Sequence, residues 1–220
     1  MSVFGILTNY SPTLLRGLLV TIELFLAVSI LGVVFGVLFG VLGARNQAAG
    51  TTVRVASFLV AGIPLLVLLY WFYYPFQQIL GISISPFWTA VFTLAVVNIA
   101  AIAELVRGVL ADFPRQFVIA GQMAGLSSND ISKRIQFPMI FRQVIPSFLT
   151  TQLFILQCTL FASLISVPEI FRVAQNLNAV LYKPVEIYTA LAVFFMLALA
   201  PLYYLAYVLR QRFTRDFSER

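Results

Sequence analysis

The stretch from Leu18 to Leu42, LLVTIELFLAVSILGVVFGVLFGVL, decides the fold. A helix crosses the hydrocarbon core of a bilayer with about 20 mostly apolar residues, and this stretch carries a single charged residue, Glu23. It lacks the apolar/polar alternation that a membrane β-strand requires. Because lipid offers the backbone no hydrogen-bond partner, the stretch is predicted to be a transmembrane helix.

Four further stretches have the same character. We therefore predict an all-α integral membrane protein, a single domain over residues 1–220 with five transmembrane helices. The predicted spans lie at about 18–42, 55–74, 87–105, 148–167 and 187–209. The composition agrees, since 61% of the residues are apolar and 10% are charged, whereas soluble domains have about 45–50% and about 25%. A soluble globular domain and a disordered chain are both excluded.

The cations set the predicted orientation. If the N-terminus lies outside, the outer segments hold only Arg16, Arg172 and Lys183. The inner segments then hold the other Lys and Arg residues: Arg45, Arg54, Arg107, Arg115, Lys133, Arg134, Arg142, Arg210, Arg212, Arg215 and Arg220. Because basic residues accumulate on the cytoplasmic side, we predict an outside N-terminus and an inside C-terminus. The net charge of +6 follows from membrane topology, so no nucleic-acid partner is predicted.

Residue types that the chain lacks narrow its chemistry. It contains no His and one Cys, Cys158. The commonest general base and the commonest metal ligand are therefore missing, and we predict neither an enzyme, nor a metal site, nor a bound cofactor. The chain has no GxxxxGK[ST] phosphate-binding loop. If ATP drives transport, another chain must hydrolyse it.

The spans contain few polar residues, and these have two interpretations. Glu104 has Arg107 at i+3, so it is either a functional carboxylate or half of an ion pair. Hydrogen-bonding side chains in the third and fourth spans either join helices or line a solute path; these are Asn98, Gln152, Gln157, Thr159 and Ser163. Gly32, Gly36 and Gly40 form a small-xxx-small series that suits close helix packing.

The longest inner segment, about 107–146, has the most informative pattern. The stretch from Pro114 to Ala124 is predicted to be a short amphipathic helix with Phe117, Ala120 and Ala124 on its apolar stripe. Gly125 then occupies the position of a C-cap glycine. Ser127 and Asp130 have the spacing of a capping box and begin a second helix, which we expect Pro138 to end.

This helix–turn–helix has two possible roles. It is either a surface helix on lipid headgroups or the docking element for a cytoplasmic partner. The small residues Ala120, Gly121, Ala124 and Gly125 allow another protein surface to approach closely. A headgroup helix normally carries more Lys and Arg and larger apolar residues, so the pattern favours docking.

Several motifs resemble a known family. They are Ala103-Glu104-Leu105-Val106-Arg107-Gly108, Pro114, Ala120-Gly121-Gln122-Met123-Ala124-Gly125-Leu126-Ser127, Phe137-Pro138, Arg142 and Ile145-Pro146. Together with Gly62 and Pro64-Leu65-Leu66-Val67 in the second span, they resemble the permease subunit of bacterial ABC importers for polar amino acids. The resemblance implies a multi-pass protein of the bacterial inner membrane with five helices and an outside N-terminus.

The resemblance also implies partners and site residues. Two ATPase subunits, which hydrolyse ATP, would dock on two permease subunits, and an extracytoplasmic solute-binding protein would deliver the solute. The implied ATPase-coupling residues are Pro114, Phe117, Ile119, Ala120, Gly121, Ala124, Gly125 and Leu126. The candidate residues of the solute path are Gly62, Pro64, Asn98, Glu104, Gln157, Thr159 and Ser163.

The chain departs from the family pattern where polar side chains are usual. Ile119 replaces the Glu of the coupling motif, and Ala101 replaces a Tyr. The usual Arg-Gly-Thr-Pro is Ala61-Gly62-Ile63-Pro64, a common Gln is Leu68, and Lys-Asp-Thr-Ser is Gln157-Cys158-Thr159-Leu160. Two assemblies fit these losses: a heterodimer whose other permease holds most solute contacts, or a homodimer for a less polar solute. The alternative function is a secondary transporter or channel with no ATPase.

Overall fold

The computed structural model describes residues 9–218, which contain helices and no strand. The α-helices are α1 (Ser11–Arg45), α2 (Gln47–Gly62), α3 (Leu65–Tyr73), α4 (Pro75–Leu80), α5 (Pro86–Ala111), α6 (Arg115–Met123), α7 (Ser128–Ile131), α8 (Phe137–Cys158), α9 (Ile170–Leu181) and α10 (Pro184–Ser218). A π-helical segment, Ser132–Gln136, joins α7 to α8, and a 3₁₀ segment, Thr159–Ile165, follows α8. Four helical stretches are long and apolar enough to cross a membrane, and a bent pair makes a fifth candidate.

The second predicted span is bent by 92° between α2 and the helical stretch Leu65–Leu80. Ile63 and Pro64 are both extended at the break, with ψ of 124° and 131°. Pro64 lacks a backbone N–H and disfavours the helical conformation of the residue before it, so α2 ends at Gly62. Inside a membrane, such a break is tolerated where it is covered by protein or lines a cavity.

The centre of the fold is the contact between α1 and α5. One face of α1 is buried and lacks side chains at Gly32, Gly36 and Gly40. A Cβ on Gly36 would lie 2.7 Å from Ile102 Cβ, and one on Gly40 would lie 2.8 Å from the Ala103 carbonyl oxygen. Because glycine has no side chain at these positions, the backbones of α1 and α5 approach more closely than any other residue type would allow.

A buried amide pair ties α1, α5 and α8 together. Asn98 is fully buried, and its Nδ2 donates to the Val28 carbonyl oxygen at 3.3 Å. The Gln152 Nε2 donates to Asn98 Oδ1 at 3.1 Å, and Asn98 Nδ2 is 3.4 Å from Gln152 Oε1. Unpaired buried amides are costly, so these mutual bonds favour a single packing of the three helices.

The expectation that Pro138 ends the second helix of the inner segment is wrong. The helical path continues from α7 through the π-helical segment into α8, and Pro138 lies in the first turn of α8. At the junction the Phe137 N–H donates to the Ser132 carbonyl, five residues back. A π turn is wider than an α-helical turn and shifts the hydrogen-bond register just before Pro138. The helix therefore accommodates the proline ring and the absence of its N–H.

Helix α9 is an amphipathic helix between the last two candidate spans that the sequence analysis did not predict. Its buried face is Ile170, Val173, Ala174 and Leu177. Glu169, which is fully buried, caps α9 by accepting hydrogen bonds from the N–H groups of Phe171 and Arg172 at 2.8 and 2.7 Å. The Ile170 N–H donates to Thr21 Oγ1 at 3.1 Å, so the start of α9 is fixed to α1.

Candidate functional site

Helix α6 is short and is delimited at both ends by specific residues. Pro114 is its N-cap residue. After it, Gly125 adopts the left-handed conformation with φ of 77°. The Leu126 N–H donates to the Gly121 carbonyl at 3.1 Å and the Gly125 N–H to the Gln122 carbonyl at 3.0 Å, which is the pattern of a Schellman motif. The position of Gly125 after the helix agrees with the expected C-cap glycine.

The next helix begins where the Ser127/Asp130 spacing predicts. Ser127 is the N-cap of α7, and its Oγ accepts a hydrogen bond from the Asp130 N–H at 3.2 Å. The Asp130 carboxylate accepts from the Ser127 hydroxyl at 2.6 Å. Caps at both ends of the turn fix α6 at a defined angle to α7, from which the helical path continues into α8.

The two faces of α6 differ in what they contact. Gly121 is buried, and a Cβ there would lie 2.9 Å from Ile131 Cγ1. Ile119 is 54% exposed and Met123 is 86% exposed, and Ala120 and Ala124 are also exposed. The inward face therefore holds Gly121 with the half-buried Phe117, rather than the predicted stripe of Phe117, Ala120 and Ala124.

The eight predicted coupling residues thus differ in their surroundings: some end the helix, some face the protein and some are exposed. Pro114 and Gly125 set the ends of α6, and Phe117 and Gly121 face the protein. Ile119, Ala120 and Ala124 are on the outer face, and Leu126 is half-buried. Met123 was not among the predicted coupling residues, although the i+4 spacing from Ile119 puts both on one side of a helix.

A cavity of about 840 Å³ lies at the bend between α2 and α3. We call it the bend cavity. Two predicted solute-path residues, Pro64 and Glu104, line it, while Gly62 is exposed beside it. The other lining residues are Arg54, Ser57, Phe58, Val60, Ala61, Ile63, Leu65, Val97, Ala100, Ala101, Leu105 and Phe154. Its size is within the range of small-molecule sites, about 300–1,000 Å³.

One of the two charged residues that line the bend cavity, Glu104, is neutralised by an ion pair with Arg107. Arg107 Nε donates to Glu104 Oε2 at 2.8 Å, and Arg107 Nη2 donates to Glu104 Oε1. This bidentate pair occupies both carboxylate oxygens, and Arg107 is buried. Arg54 is the other charged residue of the lining and its cation. The cavity is also lined by three apolar residues at positions where the family pattern has polar side chains: Ala61, Ile63 and Ala101.

The structure does not bring the other predicted path residues to this cavity. Asn98 is in the buried amide pair, and Thr159 and Ser163 are buried with hydroxyls that donate to the carbonyls of Leu156 and Leu160. Gln157 is exposed, and its Nε2 donates to the Tyr203 hydroxyl at 3.2 Å. Among the side chains that the structure describes, residues 9–213, no three Cys, Asp or Glu residues are close enough to hold a metal ion.

Most of the chain matches one known family of membrane transport proteins. The family described as "Binding-protein-dependent transport system inner membrane component" matches residues 32–217. The chain belongs to this family. The resemblance to ABC importer permeases is confirmed: the chain is a permease subunit of an ATP-driven importer and a multi-pass protein of the inner membrane.

Three relatives are similar to the chain over much of its length. The histidine/lysine/arginine/ornithine transport system permease HisQ of Escherichia coli (strain K12) is 27% identical over 193 residues, 81% of this chain and 83% of HisQ. The glutamine transport system permease GlnP of the same strain is 27% identical over 192 residues, 84% of this chain and 86% of GlnP. The octopine transport system permease OccM of Rhizobium meliloti is 32% identical over 143 residues, 61% of this chain and 58% of OccM.

Two solved structures share the fold. An amino acid ABC transporter crystallised with histidines superposes with a TM-score of 0.82 at 21% identity, over 94% of this chain and 96% of that one. The methionine ABC transporter MetNI in an inward-facing conformation gives a TM-score of 0.68 at 19% identity, over the same shares of the two chains. The arrangement of helices is therefore that of ABC importer permeases.

Proposed function

We propose that this permease imports polar amino acids or related small polar solutes. The observation that carries the proposal is the similarity, over most of the chain, to permeases named for histidine, lysine, arginine, ornithine and glutamine transport. The bend cavity supports it, because its volume suits a small solute and it lies at a helix break that faces Glu104.

The proposed orientation places the N-terminus outside and the C-terminus and α6 inside. Arg54, Arg107 and Arg210 then lie toward the cytoplasmic ends of three spans, as the distribution of basic residues in membrane proteins favours. The exposed Ile119, Ala120, Met123 and Ala124 form an apolar face on α6, and the exposed Arg115 lies one turn before Ile119 on the same side. We assign this face, and α6 as the coupling helix, to the contact with an ATPase subunit.

In this proposal the partner subunits supply the energy. Two ATPase subunits hydrolyse ATP, and their closure pushes α6. Because α6 is capped at both ends and packs on α7 through Gly121 and Ile131, the push tilts the connected helices and changes the side to which the bend cavity opens. A packed contact with two discrete arrangements transmits small shifts in this way. An extracytoplasmic solute-binding protein delivers the solute.

We further propose that the second permease is a different chain. A zwitterionic amino acid needs partners for an ammonium and a carboxylate group. Arg54 in the lining suits the carboxylate, but the ammonium lacks an anionic partner because Arg107 occupies both oxygens of Glu104. The lining is apolar at Ala61, Ile63 and Ala101. A buried charge without a partner is unfavourable, so the second permease supplies the missing polar contacts. A homodimer for a less polar solute is the competing arrangement.

The decisive experiment is to co-express the chain with its neighbouring gene products, purify the complex through a tag on this chain, and reconstitute it in liposomes. The proposal predicts that an ATPase and a different permease co-purify, and that labelled polar amino acids enter only with ATP and the binding protein. Uptake that follows an ion gradient without ATP would favour the secondary transporter or channel, and a complex with a single permease species would favour the homodimer.

A further inference from the structure

A second depression, on the side of the fold formed by α8 and α10, has a different lining from the bend cavity. It has a volume of about 500 Å³, and we call it the hydroxyl groove. Its polar lining residues are Ser147, Thr150, Thr151, Tyr203 and Arg210. None of these residues was predicted from the sequence to line the solute path.

The hydroxyl oxygens of α8 are suited to accept hydrogen bonds. Thr150 Oγ1 donates to the Pro146 carbonyl at 2.9 Å, and Thr151 Oγ1 donates to the Ser147 carbonyl at 3.0 Å. A hydroxyl that has donated its proton in this way still has two lone pairs. These bonds to the helix hold the two threonine side chains in fixed positions, so their oxygens are pre-positioned for a donor in the groove.

The hydroxyl groove and the bend cavity meet at Ala101 and Phe154, which line both. Phe154 is 54% exposed, so its ring lies between the two spaces and is not packed into the core. One helical turn further along α8, Gln157 Nε2 donates to the hydroxyl of Tyr203, which lines the groove.

We propose that the hydroxyl groove is a water-filled, polar section of the solute path, in which Ser147, Thr150 and Thr151 accept hydrogen bonds from the N–H groups of the solute and Phe154 separates it from the bend cavity. The inference rests on the proposed function. Polar side chains are scarce in the bend cavity. Further path residues of this chain then lie in the hydroxyl groove beside it.

The lining favours water and solute over lipid. The hydroxyls of Thr150 and Thr151 are bonded to backbone carbonyls, but a guanidinium that faces hydrocarbon is unfavourable. Ionisable residues in membrane helices almost always face a protein interior or a water-filled cavity, so Arg210 favours a hydrated groove. Leu205 is two residues from Tyr203, on the opposite side of α10, and is 49% exposed. The two faces of α10 therefore differ in polarity at the same depth in the membrane.

The first test is the access of water to the groove. In a Cys158→Ala background of the complete transporter, Thr151→Cys and Tyr203→Cys are compared with the control Leu205→Cys in inside-out vesicles. A charged methanethiosulfonate reagent should label the two groove cysteines at least about tenfold faster than the control, because thiolates form readily only in water. Equal labelling of all three, or no labelling of the groove pair, would overturn the inference.

The second test is transport by Thr151→Val, which keeps the shape of the side chain but removes the hydroxyl. We expect the KM for uptake to rise about fivefold, which corresponds to one hydrogen bond, with ATP hydrolysis retained. Thr52→Val is the matched control, because its Oγ1 makes the same bond to a carbonyl four residues back, at 3.1 Å, on the exposed face of α2. An unchanged KM contradicts the inference. If the parent transporter shows no ATP-dependent uptake, the proposed function fails instead, while the labelling test still decides the groove.

Discussion

Small residues occur in two regions of this permease for different reasons. On α1, Gly32, Gly36 and Gly40 are small because α5 of the same chain occupies the space where side chains would be. On the outer face of α6, Ala120 and Ala124 are exposed, and no part of the described chain covers them. In α1 the small residues thus belong to a helix contact within the chain. In α6, in our proposal, they belong to a contact with an ATPase subunit.

The largest effect on folding is expected for Gly36→Leu. A Cβ at this position would lie 2.7 Å from Ile102 Cβ and 3.2 Å from the backbone oxygen of Ile99, so α1 and α5 must separate. We expect a loss of about 3 kcal/mol or more, at the upper end of overpacking effects. Thermal unfolding in detergent measures it, with the exposed Val34→Leu as control. Equal melting temperatures for the two variants would show that the glycine face is not needed for close packing.

A smaller effect is expected for Asn98→Leu, which removes the polar contact next to Gly32. The Gln152 amide and the Val28 carbonyl then lose their partner, at a cost of about 1–3 kcal/mol. The double variant Asn98→Leu/Gln152→Leu leaves no amide unpaired and should regain part of the loss. A double variant that is less stable by the sum of the two single effects would mean that the residues act independently.

The contact of α1 with α9 is expected to depend on pH. Burial raises the pKa of Glu169 from its usual value of 4.5 to about 7, although hydrogen bonds from the N–H groups of Phe171 and Arg172 oppose the shift. The folded state therefore keeps a proton that the unfolded state loses. Stability should be greatest below pH 4.5 and fall by about 1.4 kcal/mol per pH unit until pH 7.

Glu169→Gln tests this prediction, because the amide does not titrate. Melting temperatures measured from pH 4.5 to 8 should fall for the parent chain and change much less for the variant. Parallel curves for the two proteins would show that Glu169 keeps an ordinary pKa in the fold.

The sequence predicted the helical class and apolar helices long enough to cross a membrane, since hydropathy depends only on composition over about 20 residues. It predicted the caps of α6 and α7 because Gly125, Ser127 and Asp130 act locally. It was wrong about Pro138, since the π turn that accommodates this proline is not visible in the spacing of side chains.

The site was less predictable than the fold. Periodicity indicates that a helix has two faces, but it does not show which face the rest of the chain covers. For this reason Gly121 was grouped with Ala120, although it packs on Ile131. Asn98 and Glu104 have similar places in the sequence of α5, yet the first is in the core and the second lines the bend cavity. Their environments differ because α8 packs on α5 at Asn98, whereas residues of α2 face Glu104 across the bend cavity.

The two faces of α6 allow the most direct test of the central claim. Ala120→Arg adds a charge to the exposed face and should change stability by no more than about 0.5 kcal/mol. Gly121→Leu meets Ile131 and should cost about 1 kcal/mol or more. The measurement is solute uptake per ATP hydrolysed by the reconstituted complex. Our account predicts that Ala120→Arg melts like the parent but loses most of its uptake per ATP. Normal coupling in that variant would contradict the assignment of α6 to the ATPase contact.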